Sequence, residues 1–358
     1  MVLYYILILL PMLIGLSRNR GRLRIGAEEN REKRNIELVW FFGILLVLLM
    51  FRDVTCGVDT DRYVNLFALV GRLNWKSTML IADREWGYVI FIKLLSYLTT
   101  EPQILLMVTA LISVLPVMLF YRDEAEIPLL TMVLFATVAP FPMYFSGIKQ
   151  VIAMAMAIPA WRMAKEKKLI KFILIVLLAI QFHQSAFVML ALYPLYHARI
   201  TPKWLYVVVP AMALVYLNNA PIFNFIAEFL WEDYGAAEST GATTVLILLV
   251  AFAVYSFVVP DETKMEPDVI ALRNVLLMTI VLQSFAPIHV LAMRMNYYFL
   301  IFIPVLIPKI ASRSKRKLRV ISMYSVLAMI AFFALYYLLK AHTGSDIMQV
   351  YPYVPFWK

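Results

Sequence analysis

The chain has 358 residues, 63% of them hydrophobic and 16% charged, with a formal net charge of +10. A soluble domain is about half apolar and a quarter charged, so this composition excludes a water-soluble globular protein. Nor does the positive balance point to nucleic acid, because Lys and Arg sit in short stretches between apolar runs, the pattern of cytoplasmic loops. The single cysteine, Cys56, excludes an internal disulfide and a cysteine-rich metal site.

The apolar runs are about 15 to 22 residues long, near what a helix needs to cross about 30 Å of hydrocarbon, whereas a β-barrel would show alternating segments of about ten. This predicts an all-α fold: a polytopic transmembrane helical bundle of roughly 11–13 membrane segments. Without a repeat of fixed period or a long polar stretch, residues 1–358 read as a single integral membrane domain. In chain order the predicted spans are 2–17, 37–51, 102–120, 127–145, 148–164, 169–182, 185–197, 203–217, 242–259, 273–290, 294–310 and 318–339. The first is read as a retained span rather than a cleaved signal peptide, because its charges follow the apolar run instead of preceding it.

Three basic stretches set the orientation. Residues 18–36 carry Arg18, Arg20, Arg22, Arg24, Arg31, Lys33 and Arg34. The connection 165–171 carries Lys165, Lys167, Lys168 and Lys171, and 313–319 carries Arg313, Lys315, Arg316, Lys317 and Arg319. All three are expected in the cytoplasm, which puts 52–84, 146–150, 183, 218–241, 291–294 and the C-terminal tail on the outer side. Counting from both directions agrees only if one apolar segment between 53 and 147 does not cross. The short run 85–99, which contains Lys93, is the candidate for a re-entrant or interfacial element, and such backbone requires protein around it or a wet cavity.

On this topology the polar residues gather on the outer face. Arg52, Asp53, Asp59, Asp61, Arg62 and Tyr63 belong to the first outer loop, and Glu85, Trp86, Gly87 and Tyr88 open the non-crossing segment. Lys149 and Gln150 start an apolar helix, His183, Gln184 and Ser185 interrupt an apolar run, and Arg294, Asn296, Tyr297 and Tyr298 begin another. Charges near the membrane are costly unless paired or solvated, so they mark candidate function. Bland readings stand beside this: Lys149 as an interfacial snorkel, His183 as a satisfied helix-end histidine, Arg294 as an anchor, Asp59 and Asp61 as turn chemistry after Gly57 rather than a metal pair. Together, however, Arg52, Lys149 and Arg294 suit a phosphate or diphosphate. The carboxylates and aromatics suit a sugar, and histidine is the side chain suited to accept a proton near neutral pH.

The order of these motifs resembles the EpsG family of polysaccharide-biosynthesis membrane proteins, akin in role to Wzy-type polymerases. Its pieces here are Arg52 with Gly57, Asp59, Thr60 and Tyr63, then Glu85-Trp86-Gly87-Tyr88. Lys149-Gln150 with Ala153 follows, then Phe182-His183-Gln184-Ser185-Ala186, and finally Arg294 with Tyr298-Phe299. The family usually has Arg-Gln where this chain has Lys149-Gln150, so charge is kept but the bidentate fork is lost, which shifts the leading diphosphate role to Arg294.

The resemblance implies a glycosyltransferase that joins undecaprenyl-diphosphate-linked oligosaccharide repeat units at the outer face of the bacterial cytoplasmic membrane; no cofactor is expected and no residue is assigned to a metal. Its implied catalytic residues are Arg294, His183 and Asp59, with Arg52, Arg62, Tyr63, Glu85, Tyr88, Lys149, Gln150, Gln184, Ser185 and Tyr298 binding substrate. Its partners would be the lipid-linked oligosaccharide, membrane lipid, and the chain-length regulator and flippase of the same pathway, with no nucleic acid. A flippase for the same glycan and a ligase are the alternatives; no Walker or dinucleotide motif is present.

Overall fold

The computed structural model describes residues 1–19, 35–82, 85–230, 242–344 and 348–358. The fold is all-helical; among the described residues the only β-type pairings are isolated bridges, Arg52 with Pro355 and Pro260 with Ser314. Helices satisfy their backbone groups internally, which hydrocarbon demands.

In chain order, α1 (Val2–Asn19) and α2 (Ile36–Met50) pack together, followed by α3 (Thr60–Arg72), α4 (Trp75–Leu80) and α5 (Trp86–Ser96). Then come α6 (Pro102–Glu124), α7 (Pro128–Thr137), α8 (Ile148–Ala155), α9 (Ala157–Lys165) and α10 (Leu169–Phe182). A 3-10 stretch over Gln184–Ala191 leads into α11 (Leu192–His197), and α12 (Leu205–Leu217), α13 (Asn219–Leu230) and α14 (Ala242–Val258) follow. The chain closes with α15 (Pro267–Phe285), α16 (Val290–Leu300), α17 (Ile303–Ser312) and α18 (Arg319–Thr343).

Among the described residues, three helical stretches are long and apolar enough to cross a membrane alone: α6, α15 and Arg316–Thr343, which contains α18. Two bent pairs, around α12/α13 (77°) and α16/α17 (48°), bring the number to five if each is one span. The remaining predicted segments correspond to shorter or broken apolar helices. The run 127–145 is α7, a turn through Pro140 and Pro142, and one helical turn at Met143–Ser146. The run 148–164 divides at Met156, and 294–310 lies in a helix pair that begins at Val290 and bends ahead of Pro304. Proline lacks the N–H that would continue the ladder, which accounts for two of these breaks.

Helix ends sort into two sets. At one end Asn35 donates to the carbonyls of Arg122 and Ala125, Lys165 pairs with Asp268, Lys309 with Glu124 at 2.6 Å, and Arg313 with Glu126 at 2.7 Å and Glu266 at 3.0 Å. The basic connections 165–171 and 313–319 therefore share an end with the start of α2; most of the first basic stretch, 20–34, lies outside the described residues. At the other end the C-terminal tail lies along residues 51–58. Asp53 N–H donates to Val354 O at 2.8 Å, Gly57 N–H to Gln349 O at 3.0 Å and Phe356 N–H to Phe51 O at 3.0 Å.

Residues 53–101 leave and return to this second end: Gln103, in the first turn of α6, donates to the carbonyls of Met50 and Arg52. With 11 residues, α5 is about 16 Å long, short of the roughly 30 Å a crossing needs. Its length and the return of the chain to the same end are compatible with the non-crossing element expected at 85–99. Lys93 within it is buried, its ammonium donating to Val70 O at 3.1 Å and Leu73 O at 2.6 Å at the C-terminal end of α3, where carbonyls favour a cation.

Candidate functional site

Three elements from distant parts of the chain meet at the end opposite the basic connections. Glu85 is the N-cap of α5, Lys149 lies in the first turn of α8, and His183 follows the last turn of α10 on extended backbone. Their approach depends on Gly87. A Cβ there would stand 2.8 Å from Gln181 Cβ and 3.1 Å from the Gln181 backbone, so only glycine lets α5 close on α10.

Both carboxylate oxygens of Glu85 are engaged. Oε1 lies 2.8 Å from His183 Nδ1 and accepts the Gln184 N–H at 3.2 Å, while Oε2 accepts from Lys149 Nζ. Burial alone would raise the Glu85 carboxyl, but the His183 hydrogen bond and the Lys149 ammonium outweigh it and hold the group down at about 2. Lys149 also lies over the rings of Tyr63 (5.9 Å) and Tyr88 (5.8 Å), which meet edge to face at 5.9 Å. The lysine is thus held by a carboxylate and two aromatic faces, and is not a loose interfacial snorkel.

Two buried bonds join this cluster to the helix of Arg294. Ser185 Oγ and Tyr298 OH are 3.2 Å apart, and Gln150 Nε2 donates to Arg294 O at 2.7 Å. Gln150, Ser185 and Tyr298 are buried. Arg294 itself is half-buried, in the second turn of α16 rather than at the start of a span, and has no ion-pair partner among the described residues. Tyr63 lies within electrostatic reach of both Arg294 and Asp59. Asp59 caps α3; its N–H donates to Ser146 Oγ at 3.2 Å, and that hydroxyl donates back to Oδ2 at 3.4 Å. Arg62 is exposed on the same helix.

Arg52 sits elsewhere. It is 2% exposed beneath the C-terminal tail, donates to Leu49 O at 3.0 Å and lies 5.8 Å from the Phe145 ring, so it braces the end of α2 instead of joining the Glu85 cluster. Residues 231–241 of the outer loop 218–241 lie outside the described residues, as do the side chains at 226–230. Two contributors were not singled out by sequence. Ser146 immediately precedes the Gly147-Ile148-Lys149 turn, and Gln283 accepts from Asn296 at 2.9 Å, fixing α16 on α15. A polar residue inside an apolar run is the signal that could have found Gln283.

With a carboxylate on Nδ1, a neutral His183 carries its proton there and leaves Nε2 as the acceptor. The Arg294 guanidinium, without an ion-pair partner among the described residues, offers a planar fork for phosphate oxygens.

These features define a multi-pass helical membrane protein with a polar site gathered at one end of its bundle. A model of the EpsG family matches residues 36–354, nearly the whole chain, and the chain belongs to that family of polysaccharide-biosynthesis membrane proteins. No curated protein and no solved structure matches it.

Proposed function

We propose that this protein is a polysaccharide polymerase: a glycosyltransferase that joins undecaprenyl-diphosphate-linked oligosaccharide repeat units at the outer face of the bacterial cytoplasmic membrane. The observation that carries the reading is the Glu85–His183 pair, 2.8 Å apart, in the same site as Arg294, which has no ion-pair partner among the described residues. Family membership supports the substrate class, and the basic connections at the opposite end support an outward-facing site.

In this mechanism His183 Nε2 takes the proton of an acceptor hydroxyl on the incoming lipid-linked unit. The hydroxyl oxygen forms the new bond to the anomeric carbon of the growing chain as the bond to its diphosphate breaks. Arg294 stabilises the charge that accumulates on the departing lipid diphosphate. A single direct displacement inverts the anomeric centre. Lys149 acts differently from the expected diphosphate helper: its contact with Glu85 makes it part of the frame that orients His183.

A flippase for the same glycan would favour charges at the bilayer midplane and paired interrupted repeats, whereas Glu85, Lys149 and His183 cluster at helix ends. The test is to incubate purified protein with lipid-diphosphate-linked repeat units and no nucleotide sugar, then resolve glycan length. A ladder of repeat units is expected. Transfer of single preformed chains to another acceptor would identify a ligase, and no transfer with several native substrates would defeat the enzyme reading.

A further inference from the structure

Two helices, α6 and α9, end among the basic connections, and each carries a proline on the groove between them: Pro116 inside α6, where it removes a ladder donor, and Pro159 in the first turn of α9, where none is lost. Between the two helices runs a groove of about 1030 Å³, at the upper end of the roughly 300–1,000 Å³ of ligand pockets. Two of its lining residues are aromatic, Phe120 and Trp161, and both pack on the buried Phe302, at 5.7 Å and 4.9 Å.

Both walls change character in the same direction. From the bundle interior outward, α6 presents Leu119 and Phe120 and then Arg122, while α9 presents Ile158 and Trp161 and then Arg162 and Lys165. The groove is therefore apolar at membrane depth and charged at the end. Its acidic lining groups already have cations, Asp123 with Arg122, Glu124 with Lys309 and Glu166 with Lys168. Arg162, which lines the groove, is exposed and has no ion-pair partner among the described residues; Lys167 and Lys171, also exposed and without one, lie outside the lining but follow in the same connection, and Lys171, like Arg162, is within electrostatic reach of the lining Glu166. Leu111, Ile112, Leu115 and Leu119 are exposed along α6, so the groove opens onto the surface that faces lipid.

We propose that the groove between α6 and α9 seats an anionic glycerophospholipid of the cytoplasmic leaflet, with an acyl chain along Leu119, Phe120, Ile158 and Trp161 and the phosphate against Arg162, Lys167 and Lys171. The graded walls match an amphiphile, and the surplus of cations selects an anionic headgroup over a zwitterionic one. The site is separate from the Glu85 cluster, at the opposite end of the bundle, and stands whether or not the polymerase reading holds.

The experiment measures lipid carried by the detergent-purified full chain after exchange into vesicles containing equal amounts of phosphatidylglycerol and phosphatidylcholine, counted by native mass spectrometry. Phosphatidylglycerol is expected to be retained preferentially, with retention falling roughly fivefold for each of Arg162→Gln, Lys167→Gln and Lys171→Gln. These exposed positions leave the fold intact, which size-exclusion behaviour checks. Ile158→Trp keeps every charge but fills the groove, and it should also displace the lipid. Equal retention of both lipids overturns the proposal, as does full phosphatidylglycerol retention in Ile158→Trp, which would mean attraction to a basic surface without a seat.

Discussion

Glu85 Oε1 lies 2.8 Å from His183 Nδ1, across 98 residues of sequence, and the same carboxylate holds Lys149 through its second oxygen. The contact fixes which face of the imidazole is turned toward the protein and leaves Nε2 to act.

Replacing Glu85 by Gln keeps the shape of the side chain but removes the charge that orients His183 and balances Lys149. Repeat-unit transfer is expected to fall by about 10²-fold or more, within the range for loss of general-base function. Glu85→Asp, which keeps the charge on a shorter arm, should retain part of it. Initial rates on lipid-linked repeat units provide the comparison; wild-type rates in Glu85→Gln would remove the pair from the mechanism.

The depressed carboxyl of Glu85 also has a signature in stability. Its folded value of about 2 lies below the ordinary value of about 4.3. Its ionised form therefore stabilises the fold above about pH 4.3, and that contribution is lost as pH falls toward 2. Thermal midpoints of wild type and Glu85→Gln in detergent should differ by a constant amount above about pH 5, and the gap should shrink progressively as pH falls from about 4 toward 2. A gap that is undiminished at about pH 2 would show that the carboxylate is not the source. Any loss of activity near pH 5 to 6 must then come from a group other than Glu85.

In the proposed mechanism Arg294 stabilises the departing diphosphate. Arg294→Ala is expected to lower transfer by about 10²–10³-fold, the scale for loss of one charge-stabilising donor. Arg294→Lys restores the charge without the fork and should recover only part of it. Because the side chain has no described ion-pair partner, neither change should disturb folding, which monodispersity checks. Full activity in Arg294→Ala would sink the diphosphate assignment.

Much of this was legible in sequence, and the reason it was legible is physical. Lys and Arg counts called for an even number of crossings between 53 and 147, and the run at 85–99, expected not to cross, forms an 11-residue helix within a stretch that leaves and returns to one end. Glu85, Lys149 and His183 were identifiable because polar residues interrupting apolar runs are costly and therefore informative. What sequence could not supply was who meets whom. Arg52 looked like a member of the phosphate site, but its bridge partner, Pro355, lies at the far end of the chain. Lys149 looked free to clamp a diphosphate until Glu85 was found against it. Helix breaks at Met156 and beyond Thr137 were also hidden, since hydropathy averages over a bend and cannot see it.

Gly57 is the hinge on which the tail and the first outer loop depend. Its φ of +99° lies where side chains are rarely tolerated, and a Cβ would stand 1.8 Å from Phe145 O, a backbone atom that cannot move aside alone. Gly57 N–H and Val58 N–H also donate to Gln349 O and Met348 O, so displacing the loop strips hydrogen bonds from the tail. Gly57→Ala is therefore expected to destabilise by more than about 2 kcal/mol, strain and clash together. Removing residues 349–358 tests the other side of the same contact: the tail's hydrogen bonds are lost but the backbone strain at Gly57 is not introduced. The truncation should lower the thermal midpoint less than Gly57→Ala does, and both should reduce transfer through Asp59, two residues from Gly57 and bonded to Ser146. A Gly57→Ala protein with an unchanged midpoint would mean that the loop relaxes around the methyl group, and that its conformation is not what holds Asp59 at the site.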